Sequence, residues 1–266
     1  MENILERVQV NMPFRLLVDR YLPLVIRERI NPEIGFDCFA LDSYSEKDFR
    51  EIASRLSDAE LSITFHAPFF DLRPGSLDRR IRQTTIDRFR QVFDLVPLYR
   101  PRTIVFHASF DIDYYIANEE VWLENSRDTW SNLITLAEDL NTVIALENVY
   151  EHDPSMLSRL MRSFERPDHI RMCFDTGHFN TFSKVSLDEW LDEIGSFIGE
   201  IHLHDNGGEG DSHAPVGEGT FPFYRLFHYL KDHDARPVIT LEPHTEEHMW
   251  RTVDNIKRLG LLESLD

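Results

Sequence analysis

The sequence predicts an α/β fold, a single (β/α)8 barrel, on three observations. Short apolar or β-branched runs alternate eight times with helix-like stretches. Those runs are continuously apolar, as in parallel strands covered on both faces. The chain has 266 residues and no Gly/Ser linker or long charge run to divide it. One barrel commonly takes about 250 residues, so residues 1–266 are expected to form one domain. An open doubly wound sheet is the alternative. Neither G-x-G-x-x-G nor G-x-x-x-x-G-K-[ST] occurs, so neither dinucleotide nor P-loop binding is signalled.

The units follow in order. A strand over residues 8–12 leads to a helix within 14–29, whose start Pro23 obscures because proline is comfortable only in a first turn. A strand at 34–40 precedes a helix from Ser45, a plausible N-cap with Asp48 at the capping-box position. A strand at 61–65 ends at His66 and a long helix covers 77–98. The next strand, 102–106, ends at His107, with a helix over 118–140. Strand 142–146 ends at Glu147, with a helix over 154–163. Strand 170–174 ends at Asp175, with a helix over 186–194. Strand 200–203 runs into a glycine-broken polar loop, then a helix at 223–231. Strand 237–241 ends at Glu242, and the last helix covers 246–258.

Composition narrows the partners. Apolar content of 42% suffices for a core. No run approaches the roughly 20 apolar residues that span a bilayer, and the first residues lack the basic start and apolar run of a signal peptide. A cytoplasmic protein without membrane contact is therefore expected. Cys38 and Cys173 are expected to be buried, reduced thiols. Net charge is −19, and discounting four acids of a metal site still leaves −15. Nucleic acid is not the expected partner of such a surface. The oligomeric state stays open.

The loop after residue 203 concentrates candidate metal ligands: His202, His204, Asp205, Asp211 and His213. A polar hairpin would explain them equally well. The balance tips because the same residue types recur at other strand ends, and a barrel of this kind gathers its strands' carboxyl ends at one catalytic face. His66, His107, Glu147, Asp175, His178, His202, Asp211, His213 and Glu242 would all meet there. A mixed histidine and carboxylate set suits divalent ions, Zn or Mn foremost, at one to three per chain. Asn148, His204, Asn206 and His244 are candidates to orient those ligands. Phe69, Phe70 and Tyr150 are expected to cap the core, and the four tryptophans to pack within it.

Seven motifs carry a resemblance: F-H-A-P (65–68), F-H-A (106–108), L-E-N (146–148), F-D-T-G-H (174–178), I-H-L-H-D (201–205), D-S-H-A-P-V-G-E-G (211–219) and L-E-P (241–243). From about residue 60 to 245 the chain resembles the xylose isomerase-like TIM-barrel superfamily, which includes sugar isomerases, epimerases and endonuclease IV. The endonuclease IV pattern implies one metal on His66, His107 and Glu147. It implies a second on Glu147, Asp175, His202 and Glu242, and a third on His178, Asp211 and His213. The isomerase and epimerase pattern implies a single ion on Glu147, Asp175, His202 and Glu242.

Two activities follow from the resemblance. In the leading one, a sugar or sugar phosphate is isomerised or epimerised through an enediolate, with Glu147 and Glu242 exchanging its α-proton and His178 shuttling protons between oxygens. In the alternative, a three-metal site hydrolyses a phosphodiester, either a small phosphoester or abasic DNA. A metal-dependent binding protein is a third possibility, which nine intact ligand positions disfavour.

Overall fold

The computed structural model describes residues 4–165 and 167–265. Eight parallel strands close into a barrel in sequence order. They are β1 (Gln9–Pro13), β2 (Asn31–Gly35), β3 (Thr64–His66), β4 (Thr103–His107), β5 (Val143–Glu147), β6 (Ile170–Asp175), β7 (Ile198–Leu203) and β8 (Val238–Leu241). Closure comes from β1 against β8, with Gln9 opposite Thr240. The open-sheet alternative is thereby excluded.

Alternation along each strand sorts side chains into two environments. Ile34, Phe65, Ile104, Phe106, Ile144, Leu146, Phe174, Ile201 and Leu241 join the large core shared with the helices. Val105, Ala145 and Cys173 form a separate small cluster inside the ring. Trp122, Trp130 and Trp190 are fully buried, and Trp250 packs against the core, as expected.

Local chemistry sets the helix ends. Ser45 caps Glu46–Asp58 in a capping box with Asp48, and Ser186 does the same for Leu187–Ile194 with Glu189. Pro23 is accommodated by a π turn, Leu17–Tyr21, between Phe14–Leu16 and Leu22–Glu28. The wider turn absorbs the hydrogen bond that proline cannot donate. The helix expected over 77–98 is two, Arg79–Phe93 and Val96–Tyr99, with Pro97 in the first turn of the second.

The expected strand at 34–40 is misplaced. β2 begins at Asn31, and Asp37 accepts a hydrogen bond from the Ala40 N–H at 2.6 Å, capping a short helix, Cys38–Ser43. Apolar residues 38–40 belong to that helix, so Cys38 is exposed, while Cys173 is buried as expected. The polar run N-P-E, which lacks a strand signature, faces Glu33 into the ring at 0% exposure. No helix among the described residues is long and apolar enough to cross a membrane.

Candidate metal centre

Strand register assembles the site. Pairing places His107 opposite Glu147 and Asp175 opposite His202. The Glu242 N–H bonds to the Leu203 carbonyl, which fixes the end of β8 against β7. Six of the nine expected residues thus stand at or just beyond strand ends: His66, His107, Glu147, Asp175, His202 and Glu242.

Glu147, 1% exposed, is the hub. Its Oε2 lies 3.2 Å from His66 Nε2 and 3.3 Å from His107 Nε2. Its Oε1 lies 3.0 Å from His178 Nδ1 and 3.7 Å from His202 Nδ1. The latter nitrogen is also 3.0 Å from Glu242 Oε1 and 3.8 Å from Asp175 Oδ2. Beyond His178, Asp211 Oδ2 sits 3.4 Å from His178 Nε2 and 3.1 Å from His213 Nε2. The structure therefore brings all nine residues into one continuous cluster.

Asp175 occupies two roles at once. It caps the helix Thr176–Phe182, which lies ahead of the helix expected over 186–194, by accepting from the His178 N–H at 2.6 Å. Its carboxylate also meets His204 Nε2 at 2.9 and 3.0 Å. His204 in turn stacks on His213 and His213 on His244, with ring centroids 3.8 and 3.9 Å apart. His204 thus orients ligand candidates on two elements. The expected orienting role of Asn148 also has a geometry: its side chain bonds both the N–H and the carbonyl of Asp175.

Asp205 is not available as a ligand. Its carboxylate accepts the backbone N–H groups of Asn206, Gly217, Gly219 and Phe221, holding the loop that carries Asp211 and His213. An antiparallel bridge from Asp205 to Ala214 pinches that loop. The hairpin accounts for Asp205, while Asp211 and His213 stand as the ligand candidates of the loop.

The electrostatics describe a site crowded with carboxylates that draw protons onto its histidines. Burial alone would raise the Glu147 carboxyl, but His107 and His202 hold it well below the carboxylate range. Burial likewise opposes charge on His66 and His213, yet Glu147 draws His66 up to about 9 and Asp211 draws His213 up to about 9. His107, sharing the Glu147 oxygen with His66, is lowered by burial. Several buried atoms have no hydrogen-bond partner: both ring nitrogens of His202, His204 Nδ1 and Asp211 Oδ1. Among the described residues, His66–Glu147–His202 and Glu147–Asp175–His178 each offer ligand atoms within 4.8 Å of one another, as do Glu33–His202–Glu242 and His204–His213–Glu242. Orphaned donors amid clustered carboxylates fit a divalent cation.

The cluster floors a cavity of about 590 Å³ whose walls include Met12, Leu16, Phe69 and Phe70. Phe69, Phe70 and Tyr150 line this mouth with exposures of 37%, 79% and 45%, so they do not cap the core as expected. Phe69 stacks on His107 at 4.4 Å. Arg88 is the one Arg or Lys among the described lining residues, and both its terminal nitrogens bind Asp42. Glu33 is the residue the sequence reading missed. Only the alternation within N-P-E-I could have signalled it, by placing Glu33 on the face opposite Ile34.

Fold and site together define a (β/α)8 barrel with a histidine and carboxylate centre at the carboxyl ends of its strands. Residues 32–260 match the xylose isomerase-like TIM barrel, and the chain belongs to that family. An uncharacterized protein (MJ1311) of Methanocaldococcus jannaschii is 28% identical over 212 residues, covering 77% of this chain and 72% of its own. A probable endonuclease 4 of Mycoplasma pneumoniae is 28% identical over 126 residues, 43% of this chain and 44% of its own. The crystal structure of a D-tagatose 3-epimerase-like protein superposes with a TM-score of 0.80 at 24% identity, covering 97% of this chain and 98% of that one.

Proposed function

We propose that this chain is a metal-dependent isomerase or epimerase acting on an uncharged sugar, by moving a proton next to its carbonyl. The observation that carries this reading is the convergence of Glu147 and Glu242 on His202 Nδ1, at 3.7 and 3.0 Å, beneath a cavity with no free Arg or Lys among its described lining residues. A divalent ion held by Glu147, Asp175, His202 and Glu242 would supply Lewis-acid polarisation of the carbonyl. Glu147 and Glu242 stand on strands three places apart in the ring, so a sugar between them meets a carboxylate from either side. One removes the α-proton and the other returns a proton to the opposite face, inverting that carbon. His178 has Nδ1 at Glu147 and Nε2 at Asp211, and we assign it to carry protons between substrate oxygens. Phe69 and Met12 offer apolar surface to the C–H face of a sugar. With Arg88 engaged by Asp42, no Arg or Lys among the described lining residues is free to pair with a phosphate. The likeness to an epimerase-like barrel supports the same substrate class.

One observation favours a second reading. Asp211 between His178 and His213 completes a third ligand group, the set that phosphodiester hydrolysis on three metals would use. Elemental mass spectrometry on protein purified without chelator separates the two, repeated on His107→Ala and His213→Ala. The leading reading expects one metal per chain, retained in both variants. Three metals, reduced in both, would transfer the assignment to phosphoesters.

A further inference from the structure

Three histidines of the centre are oriented alike. His66 Nδ1 meets the Ala67 carbonyl at 2.9 Å, His178 Nδ1 the Asn148 carbonyl at 3.1 Å, and His213 Nδ1 the Glu242 carbonyl at 3.0 Å. A carbonyl can only accept, so each Nδ1 carries hydrogen; His66 and His213 turn Nε2 to the acids, while His178 meets Glu147 through Nδ1 and Asp211 through Nε2. His202 reverses the pattern. Its Nδ1 faces Glu242, Glu147 and Asp175, while its Nε2 lies 3.3 Å from Glu33 Oε1, deep in the ring.

We infer that Glu33 is the positioning residue of the centre: its carboxylate, 3.3 Å from the unpartnered His202 Nε2, takes the hydrogen of that nitrogen when Nδ1 holds a metal. This rests on the reading of His202 as a ligand. The Glu33 carboxylate is itself anchored: Asn11 Nδ2 donates to Oε1 at 2.8 Å and Thr64 Oγ1 to Oε2 at 3.3 Å. It is completely buried, where an acid is costly unless it has a task or a partner. The other carboxyl beside it, Glu200, is already engaged by Thr240 Oγ1, which donates to it at 2.8 Å. A carboxylate behind a ligating imidazole fixes its tautomer and raises its basicity, and losing such a partner typically costs about 10–100-fold in metal affinity.

The test is zinc affinity by competition titration, with ¹⁵N-histidine spectra of the zinc-loaded protein, on wild type, Glu33→Leu, Glu33→Gln and Glu200→Gln. Wild type should show His202 bound through Nδ1 with hydrogen on Nε2. Glu33→Leu should lose about 10–100-fold in affinity. Glu33→Gln, which keeps an acceptor oxygen and guards against a misfolded leucine variant, should lose less. Glu200→Gln, an equally buried substitution, should leave affinity unchanged. Wild-type affinity in both Glu33 variants, an equal loss in Glu200→Gln, or binding through Nε2 would overturn the assignment. A wild type that binds no zinc would overturn the ligand reading beneath it as well.

Discussion

His204 lies directly across Gly177: a Cβ on that glycine would stand 2.0 Å from His204 Cε1. The glycine of D-T-G-H thus gives space to the imidazole that grips Asp175. Gly177→Ala should displace His204, releasing Asp175 from one side and breaking the stack to His213. Overpacking of this kind costs about 1–3 kcal/mol. Thermal melts should fall accordingly, and metal affinity should fall further than the melt alone implies. An alanine variant with wild-type metal affinity would show that His204 does not orient the centre.

Asp205→Ala should damage one loop selectively. Four backbone N–H groups lose their common acceptor, and a buried unsatisfied donor costs about 1–3 kcal/mol. Hydrogen exchange should rise over residues 206–221 while β4 and β5 stay protected. Uniform loss of protection would place Asp205 in the global fold instead.

These two residues mark how far the sequence was legible. Strands β3 to β8 and the ligand candidates near their ends could be read because most of their apolar runs stop at His or an acid, and all nine candidates do meet. β2 was misread because Asn31, Pro32 and Glu33 look like a turn, whereas ring closure supplies the partners that make them a strand. The same error hid Glu33 and buried Cys38 on paper. Asp205 and His204 stand beside ligand candidates in sequence, and only hydrogen-bond partners separate their duties. Phe69 and Phe70 were taken for core because aromatic character does not report which side of a loop faces a cavity.

Stability of the metal-free protein should depend on pH through its histidines. His66 and His213 each have a folded pKa of about 9 against an unfolded value near 6.5. Their contribution is complete below pH 6.5 and is lost as pH rises through about 9. The loss from His66 is on the order of 3 kcal/mol. Denaturant midpoints of chelated protein should fall across that window. Zinc-loaded protein should show the opposite trend in metal affinity, which rises as protons cease to compete. A flat apo profile would mean the acids do not charge these imidazoles.

Glu147→Gln and Glu242→Gln should each keep the fold, because the substitution preserves shape, yet lower turnover by about 10²–10⁴-fold. Circular dichroism checks the first half and steady-state kinetics the second. Full activity in Glu242→Gln would remove it from the proton pair.

The proposed chemistry has these two carboxylates exchange a proton at the carbon beside a sugar carbonyl. Incubating the metal-loaded protein with free ketoses in D₂O and following the α-position by NMR tests it directly. Deuterium should appear at that carbon together with the epimeric or isomeric sugar, and neither should form with Glu147→Gln. Absence of exchange across the ketoses, with hydrolysis of a phosphodiester by the same preparation, would contradict it.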